Sequence, residues 1–499
     1  MTFRLTVVIA LLLAASLLAL DGQPGVHDPS TIVVDHGKYY VFGTGVGLPV
    51  SMSDDGWTWR RVGSLMSAVP GGRPGPDVIA RGGNNTWAPD VVHVGGKYFV
   101  YYAAPGTQPK AAIGLLVGRT LDPASPDYTW VDAGPVVWSD GEEDCNAIDP
   151  GVLRDPTDGR LWLTYGSYFG YIRLVELDPD TGKRLYPARQ PLNVAINGEA
   201  SVMIYRDGWY YLLVTHGSCC AGANSSYNIR MGRSRKVTGP FLDNMGVDML
   251  QGGGKLFLGS GGRFIGPGHF GLLDLGDGVQ KFSCHYEADL DRGGISVLDI
   301  RPLFWRDGWP VAGENFTEGT YEIESARTGT ALELAVEGVP VGGPRGRGGR
   351  GGPGQAPVPP PPPIPEQTAV QVSARWPAGV VAVRLSPYMV QAQQKWRVTP
   401  VASGGGYPGS PYFTITIDGT DRALTATATG ELAAVPAFTG APEQLWRIDQ
   451  LADGTYRVMP RVVPDTTVPL ALSAVGSSKP TLARFRPDGD RERWLFRQP

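Results

Sequence analysis

One phrase recurs along the chain: a glycine turn followed by an aromatic-rich, alternating strand. Its five copies are GKYYVFGTG from Gly37, GGKYFVYYAAP from Gly95, GRLWLTYGS from Gly159, DGWYYLLVTHGS from Asp207 and DGVQKFSCHYEAD from Asp277. Each copy shows the period-2 alternation of a half-buried strand, and the spacing of about 50 to 70 residues is near that of propeller blades. The repeats predict an all-β chain that begins with a five-bladed β-propeller over residues 21–316, with the innermost strands converging on a central channel. A long β-sandwich or β-helix fits the spacing less well.

Composition agrees with a core-forming globular protein, since 42% of the 499 residues are apolar and 18% are charged. The 69 glycines suit many short strands joined by turns. A formal net charge of −4 leaves no basic footprint, so nucleic acid is not expected as a partner. We expect a monomer.

Residues 1–20, MTFRLTVVIALLLAASLLAL, place one arginine ahead of an apolar run from Leu5 to Leu20. This order predicts a signal peptide, because the run is shorter than the roughly 20 apolar residues of a membrane span. A clear A-x-A cleavage site is missing, so an uncleaved membrane anchor stays an alternative. We expect a secreted or periplasmic protein that does not otherwise contact the membrane.

The four cysteines are Cys145, Cys219, Cys220 and Cys284. Export permits disulfides, but the adjacent Cys219 and Cys220 could pair only in a strained ring, so we expect them to have separate fates. No Cys or His spacing indicates a zinc site.

A second repeat set covers residues 317–499 and contains a Gly/Pro-rich insertion at 338–366. Its three strand-rich openers are closed by QKW, QLW and ERW, which end at Trp396, Trp446 and Trp494. This pattern resembles the ricin-type β-trefoil lectins. The resemblance implies a C-terminal β-trefoil-like domain with the three tryptophans in its core, and it leaves carbohydrate binding open.

Four acidic residues stand shortly before successive strand phrases: Asp28 in VHDPS, Asp90 in NNTWAPDVV, Asp149 in NAIDPGVL and Glu199 in INGEASVM. An isolated Asp-Pro usually marks a turn, but equivalent positions of successive blades surround the same mouth of a propeller channel. The sequence therefore predicts several carboxylates in one cleft. Glycoside hydrolysis needs such a set, with one carboxyl protonated and another ionised.

Residues 26–313 resemble the arabinanases of glycoside hydrolase family 43 in the phrases HDPS, WAPDVV, NAIDPGVL, LWLTYGSYFGYIRLVELDPDTGKR, GEASVMI, SSYNIRMGRS and GPGHFG. The resemblance implies that Asp28 is the general base, that Asp149 orients the acid and raises its pKa, and that Glu199 is the general acid. It also implies inversion at the anomeric centre, with Asp28 and Glu199 about 6.5–9.5 Å apart.

His269 in GPGHFG would, by the same resemblance, face a calcium ion held largely through water. His27 and His285 are weaker candidates. We expect Trp87, Asp90, Asn146 and Ser167 to line the substrate cleft, although turn formation and strand-edge packing explain these residues about as well.

The leading hypothesis is an exported, endo-acting α-1,5-L-arabinanase whose partner is arabinan or another pectic or hemicellulosic polysaccharide. The alternatives are an exo-acting α-L-arabinofuranosidase or β-xylosidase on the same propeller, and a non-catalytic carbohydrate-binding protein.

Overall fold

The computed structural model describes residues 20–336 and 368–499. Residues 20–312 form five antiparallel blades, as predicted. Blade one comprises Val33–Asp35, Lys38–Phe42, Pro49–Ser53 and Thr58–Ser64, with Asp21–Gly22 parallel to its outer edge. Blade two comprises Trp87–Val94, Lys97–Pro105, Ala111–Gly118 and Trp130–Ser139.

The remaining blades follow the same order from first to fourth strand. Blade three comprises Gly151–Arg154, Leu161–Tyr165, Tyr171–Leu177 and Leu192–Ile196. Blade four comprises Glu199–Arg206, Trp209–His216, Asn228–Ser234 and Lys255–Leu258. Blade five comprises Phe264–Asp274, Gln280–Asp289, Ile295–Arg306 and Trp309–Ala312.

The glycine turns of the repeated phrase are tight hairpins. At the turn between the first two strands of blade one, His36 and Gly37 have φ values of 49° and 77°, and at the matching turn of blade four Asp207 and Gly208 have 50° and 79°. Two successive positive φ values define the type I′ turn, whose twist matches the flanking strands. This requirement explains why each copy of the repeated phrase has a glycine within its first two residues.

The propeller ring closes without a shared sheet, since among the described residues each blade is built from one continuous stretch of chain. Instead, the N-terminal segment packs on blade five. The amide of Leu298 donates to the Pro24 carbonyl over 2.8 Å, and Leu20 and Val26 share a buried cluster with Leu298. Leu20, the last residue of the predicted leader, therefore packs with the propeller; residues 1–19 lie outside the described residues.

The C-terminal domain repeats one four-stranded unit three times. The first unit comprises Gly319–Ser325, Ala331–Leu334, Val381–Ser386 and Trp396–Pro400. The second comprises Phe413–Ile417, Ala423–Ala426, Leu432–Val435 and Trp446–Gln450, preceded by a hairpin of Gly406–Tyr407 and Ser410–Pro411. The third comprises Tyr456–Pro460, Ala471–Val475, Lys479–Ala483 and Trp494–Arg497.

The three closing tryptophans occupy equivalent core positions. Trp396, Trp446 and Trp494 are fully buried, and their Nε1 atoms donate to the carbonyls of Leu332, Leu424 and Leu472. The sequence separation between leucine and tryptophan is 64 residues in the first unit and 22 in each of the others. The first unit therefore holds the extra length; the predicted Gly/Pro-rich insertion at 338–366 lies outside the described residues.

The two domains meet through hydrogen bonds. The amides of Gly406 and Gly409 donate to Asp55 Oδ2 and to the Gly56 carbonyl, both over 3.1 Å. Phe316 packs in the core of the C-terminal domain, although the predicted propeller extends to residue 316.

The helices are short: α-helices at Pro76–Arg81 and Ala369–Val372, and 3-10 segments at Leu65–Ala68, Gly222–Asn224, Met249–Gln251, Leu290–Arg292, Ser373–Arg375, Ala392–Gln394, Ala402–Gly404 and Pro442–Gln444. Over residues 20–336 and 368–499, none of the helices is long and apolar enough to cross a bilayer.

Candidate active site

Each blade carries one non-glycine residue with positive φ where its first strand approaches the channel. We call these positions the inner turns; they are Asp28, Ala88, Asp149, Ala200 and His269, with φ values of 48°, 34°, 55°, 50° and 52°. A side chain in this conformation costs about 1–2 kcal/mol, so the surrounding structure must impose it. In blades two, four and five the inner turn coincides with a register shift in the first hairpin, which is the signature of a β-bulge.

Four inner turns are held by a side chain of the preceding blade, which accepts a hydrogen bond from the backbone amide of the turn. These contacts are Asp28 N to His285 Nδ1 (2.7 Å), Ala88 N to Thr44 Oγ1 (2.7 Å), Ala200 N to Asp149 Oδ2 (3.1 Å) and His269 N to Thr215 Oγ1 (3.1 Å). Neighbouring blades are thus joined around the channel mouth. Asp28, Asp149, Glu199 and His269 come together at this mouth.

Asp28 is surrounded by imidazoles. Its Oδ2 accepts a hydrogen bond from Thr44 Oγ1 over 2.5 Å and lies 2.9 Å from His27 Nδ1, and its Oδ1 lies 3.1 Å from His269 Nδ1. Burial alone would raise the pKa of the Asp28 carboxyl, but His269, which is protonated at acidic pH, the hydrogen bond from His27 and the charge of His27 lower that pKa below its ordinary value. Asp28 is therefore ionised at neutral pH.

Glu199 has the opposite setting. Burial raises its pKa, a hydrogen bond from the Tyr227 hydroxyl lowers it, and the negative charge of Asp28 raises it again, which leaves the pKa at about 7. Burial and the charges of Glu199 and Asp28 also raise the pKa of Asp149 well above its ordinary value. Glu199 thus keeps its proton up to about neutral pH at the same mouth where Asp28 is ionised, which is the division of states that acid–base catalysis needs.

His269 offers a free ring nitrogen in a buried setting. No hydrogen-bond partner of its Nε2 lies among residues 20–336 and 368–499. Burial lowers the pKa of the imidazole to about 4, so the ring is neutral at neutral pH. A neutral imidazole is the form that binds metal ions; calcium beside His269 stays a prediction.

Asp90 has a different surrounding from the one predicted for it. Its Oδ1 accepts from the Thr31 amide over 2.9 Å and its Oδ2 from the Val152 amide over 2.8 Å, and the residue is 3% exposed. The register shift between Trp87 and Asp90 places Ala88, not Asp90, at the inner turn of blade two. The expectation that Asp90 matches Asp28 in position is therefore wrong, and its carboxylate joins three blades.

The other predicted cleft residues contact their own neighbours in the structure. Asn146 and Ser167 are buried and contact each other through Nδ2 and Oγ over 3.1 Å. Trp87 is half-buried and packs on Ile148. Contact of these residues with substrate stays a prediction.

Sequence reasoning missed two groups at this site. Tyr227 lies in SSYNIRMGRS, a phrase noted for its resemblance but not for a side chain. Glu287 lies at the end of a blade-five strand and binds His27 Nε2 through Oε1 over 3.0 Å. No local signal in the sequence distinguishes Glu287 from other strand-end acids.

The expectation of separate fates for the adjacent cysteines is wrong, because Cys219 and Cys220 form a disulfide. Cys220 has a φ of 61°, and its amide donates to Glu287 Oε2 over 3.0 Å. Cys145 and Cys284 are buried free thiols. The disulfide loop therefore touches the site.

Comparison with known proteins identifies the family of the propeller domain. Residues 23–310 match the profile of the glycosyl hydrolases family 43. The extracellular exo-α-(1→5)-L-arabinofuranosidase ArbA of Cellvibrio japonicus is 34% identical over 61% of this chain and 90% of its own length. The extracellular endo-α-(1→5)-L-arabinanase 1 of Bacillus subtilis is 34% identical over 57% of this chain and 86% of its own length.

Among solved structures, the α-L-arabinanase of Cellvibrio cellulosa in complex with arabinohexaose aligns with a TM-score of 0.54 and 30% identity, over 58% of this chain and 96% of that one. The profile match covers more than half of the chain, and its limits coincide with the five blades. The chain belongs to glycosyl hydrolase family 43.

Proposed function

We propose that this glycoside hydrolase is an inverting, endo-acting α-1,5-L-arabinanase that cleaves arabinan. The observation that carries the proposal is the contrast between two carboxyls at one channel mouth: imidazoles surround Asp28 and lower its pKa, whereas burial raises the pKa of Glu199. Relatives named arabinanases on the same propeller support arabinan as the substrate class.

In the proposed reaction the Glu199 carboxyl donates its proton to the glycosidic oxygen as the bond from that oxygen to the anomeric carbon breaks. Asp28 takes a proton from a water molecule, and the water oxygen bonds to the anomeric carbon from the opposite face. The products are two shorter chains, one with an inverted anomeric centre. The protons on Asp28 and Glu199 then re-equilibrate with solvent, which restores the starting states.

Asp149 supports the acid in two ways under this proposal. Its Oδ2 holds the amide of Ala200, the residue that follows Glu199, and so fixes the backbone from which the acid projects. Its proximity couples its own protonation to that of Glu199, since like charges oppose each other's ionisation.

Calcium beside His269 belongs to the same proposal. The buried, neutral imidazole with its unpartnered Nε2 supports it. Such an ion would supply fixed positive charge beneath the cleft, and water would complete its coordination, since calcium prefers oxygen ligands.

Export is proposed on two grounds, the N-terminal sequence and the relatives that are named extracellular. Expression in a secreting host tests it. We expect the protein in the medium or periplasm, with an N-terminus near residue 21 by mass spectrometry.

Exo-action is the second candidate, because one relative of equal identity is named an exo-acting arabinofuranosidase. Digestion of linear α-1,5-arabinan with sizing of early products separates the two modes. We expect a ladder of oligosaccharides and a rapid fall in viscosity; release of a single short product from the first minutes would favour exo-action. Binding without any product in the wild-type protein would overturn the enzymatic proposal.

A further inference from the structure

The Asp28 carboxylate is linked to a second buried acid, Glu287, through His27. His27 bridges the two acids, with Nδ1 2.9 Å from Asp28 Oδ2 and Nε2 3.0 Å from Glu287 Oε1. Because both ring nitrogens face carboxylate oxygens, both carry a proton in this arrangement. The His27 ring is thereby fixed at both ends.

The second histidine holds the backbone of the base. His285 Nδ1 accepts from the Asp28 amide over 2.7 Å, so the neutral ring must carry its proton on Nε2. That nitrogen lies 3.5 Å from the same Glu287 Oε1. This nitrogen has no hydrogen-bond partner among residues 20–336 and 368–499, so Glu287 approaches the His285 ring without a hydrogen bond.

The disulfide loop fixes Glu287 from the other side. The Cys220 amide donates to Glu287 Oε2 over 3.0 Å, in a backbone conformation with φ of 61°. Glu287 is 4% exposed, and its oxygens face His27, His285 and Cys220. A carboxylate so enclosed holds its neighbours in one geometry.

We propose that Glu287 is a positioning residue for the reaction, acting through His27 on the Asp28 carboxylate. The inference rests on the proposed function, in which Asp28 is the general base. Glu287 itself does not meet substrate. It holds the base in the orientation from which water can be activated, and small misplacements of such a group cost large factors in rate.

The test compares Glu287→Gln with a matched control, Asp35→Asn. Asp35 is also a buried carboxylate that accepts from a backbone amide, at Leu121, and pairs with a histidine, His36. It lies at the turn between the first two strands of blade one, at the end of the first strand that is remote from the inner turn at Asp28. Both variants lose one buried charge, so a merely structural role predicts similar effects in both.

Steady-state kinetics on linear α-1,5-arabinan and thermal unfolding are measured for both variants. For Glu287→Gln we expect kcat to fall about 10- to 100-fold with KM nearly unchanged. For Asp35→Asn we expect any change in unfolding temperature to leave kcat at its wild-type value. Glu287→Asp, which keeps the charge but shortens the side chain, should recover part of the lost kcat.

A Glu287→Gln protein that is folded and keeps wild-type kcat would overturn the inference. Equal losses of kcat in Glu287→Gln and Asp35→Asn would overturn it too, because they indicate general loosening. If Glu287→Gln fails to fold, the double variant Cys219→Ala/Cys220→Ala tests the same network from the loop side: a lower kcat at constant KM supports the inference and unchanged kinetics reject it. A wild-type protein inactive on arabinan would count against the proposed function instead.

Discussion

At the five inner turns of the propeller the backbone conformation repeats while the side chain changes, whereas at the three closing tryptophans of the C-terminal domain both repeat. The turns carry Asp, Ala, Asp, Ala and His at nearly equal φ. The tryptophans share their burial and their hydrogen bond to a leucine carbonyl.

The difference shows how a repeat can serve either packing or chemistry. A buried side chain that contacts all of its neighbours cannot change without loss of packing. A strained turn at a channel mouth is fixed by backbone contacts, so its side chain is available to differ from blade to blade. Variants at the two kinds of position should therefore fail in different ways.

Glu199→Gln should have the largest effect. The amide cannot donate the proton, so we expect kcat on linear arabinan to fall about 100- to 10,000-fold with little change in unfolding temperature. Glu176→Gln, at a half-buried glutamate of blade three beside Arg160, is the control and should keep its activity. Comparable activity in both variants would contradict the assignment of the acid.

Trp446→Ala should lose stability and keep its activity, in contrast to Glu199→Gln. Loss of a fully buried indole and its hydrogen bond to Leu424 should lower the free energy of unfolding by about 3–5 kcal/mol. Urea unfolding measures this loss, and kcat of the folded fraction should stay at the wild-type value. A fall in kcat without a fall in stability would break the distinction between the two domains.

Tyr227→Phe tests how the hydrogen bond from the Tyr227 hydroxyl sets the pKa of Glu199. Activity needs protonated Glu199 and is lost as pH rises through its pKa of about 7. The Tyr227 hydroxyl stabilises the ionised form, so its removal should raise this pKa and move the alkaline limb of kcat/KM to higher pH.

The pH profile of Tyr210→Phe serves as the reference for Tyr227→Phe. The Tyr210 hydroxyl donates to Asp155 over 2.7 Å, a contact that does not involve Glu199. The alkaline limb of the kcat/KM profile of Tyr210→Phe should stay at the wild-type pH. An equal shift of this limb in Tyr210→Phe and Tyr227→Phe would refute the role of Tyr227.

Ala88→Gly should have the smallest effect, and it should be stabilising. Ala88 occupies the inner turn of blade two with φ of 34° and carries no titratable group. Glycine removes the strain of that conformation, and we expect a gain of about 1 kcal/mol in the free energy of unfolding. Ala103→Gly, in a regular strand of the same blade, should instead lose stability; a loss in both would mean that the turn is not strained.

The propeller and the threefold repeat could be predicted from the sequence because their signals are local. A type I′ turn with an alternating strand is visible within about ten residues, and a tryptophan at regular spacing indicates a repeated core position. Asp28, Asp149 and Glu199 were also placed at one mouth, since each stands just ahead of a recognised strand.

The contacts among distant residues could not be predicted in this way. Glu287 is 260 residues from His27 in the chain, and no pattern in the sequence reports that approach. The expected match of Asp90 with Asp28 failed because counting residues to a hairpin does not detect a β-bulge, which shifts the register between Trp87 and Asp90. The disulfide was missed because its conformation depends on the local φ of Cys220.

The ring closes between its first and last blades at the same place where the proposed base lies. Asp28 belongs to blade one, while His285, His269 and Glu287 belong to blade five. Local openings of a protein need less free energy than global unfolding, and an opening at this seam separates the base from the groups that hold it. On heating, the protein should therefore lose its activity at a lower temperature than that at which the blades unfold. Residual activity would then report the opening of this seam earlier than any measurement of unfolding.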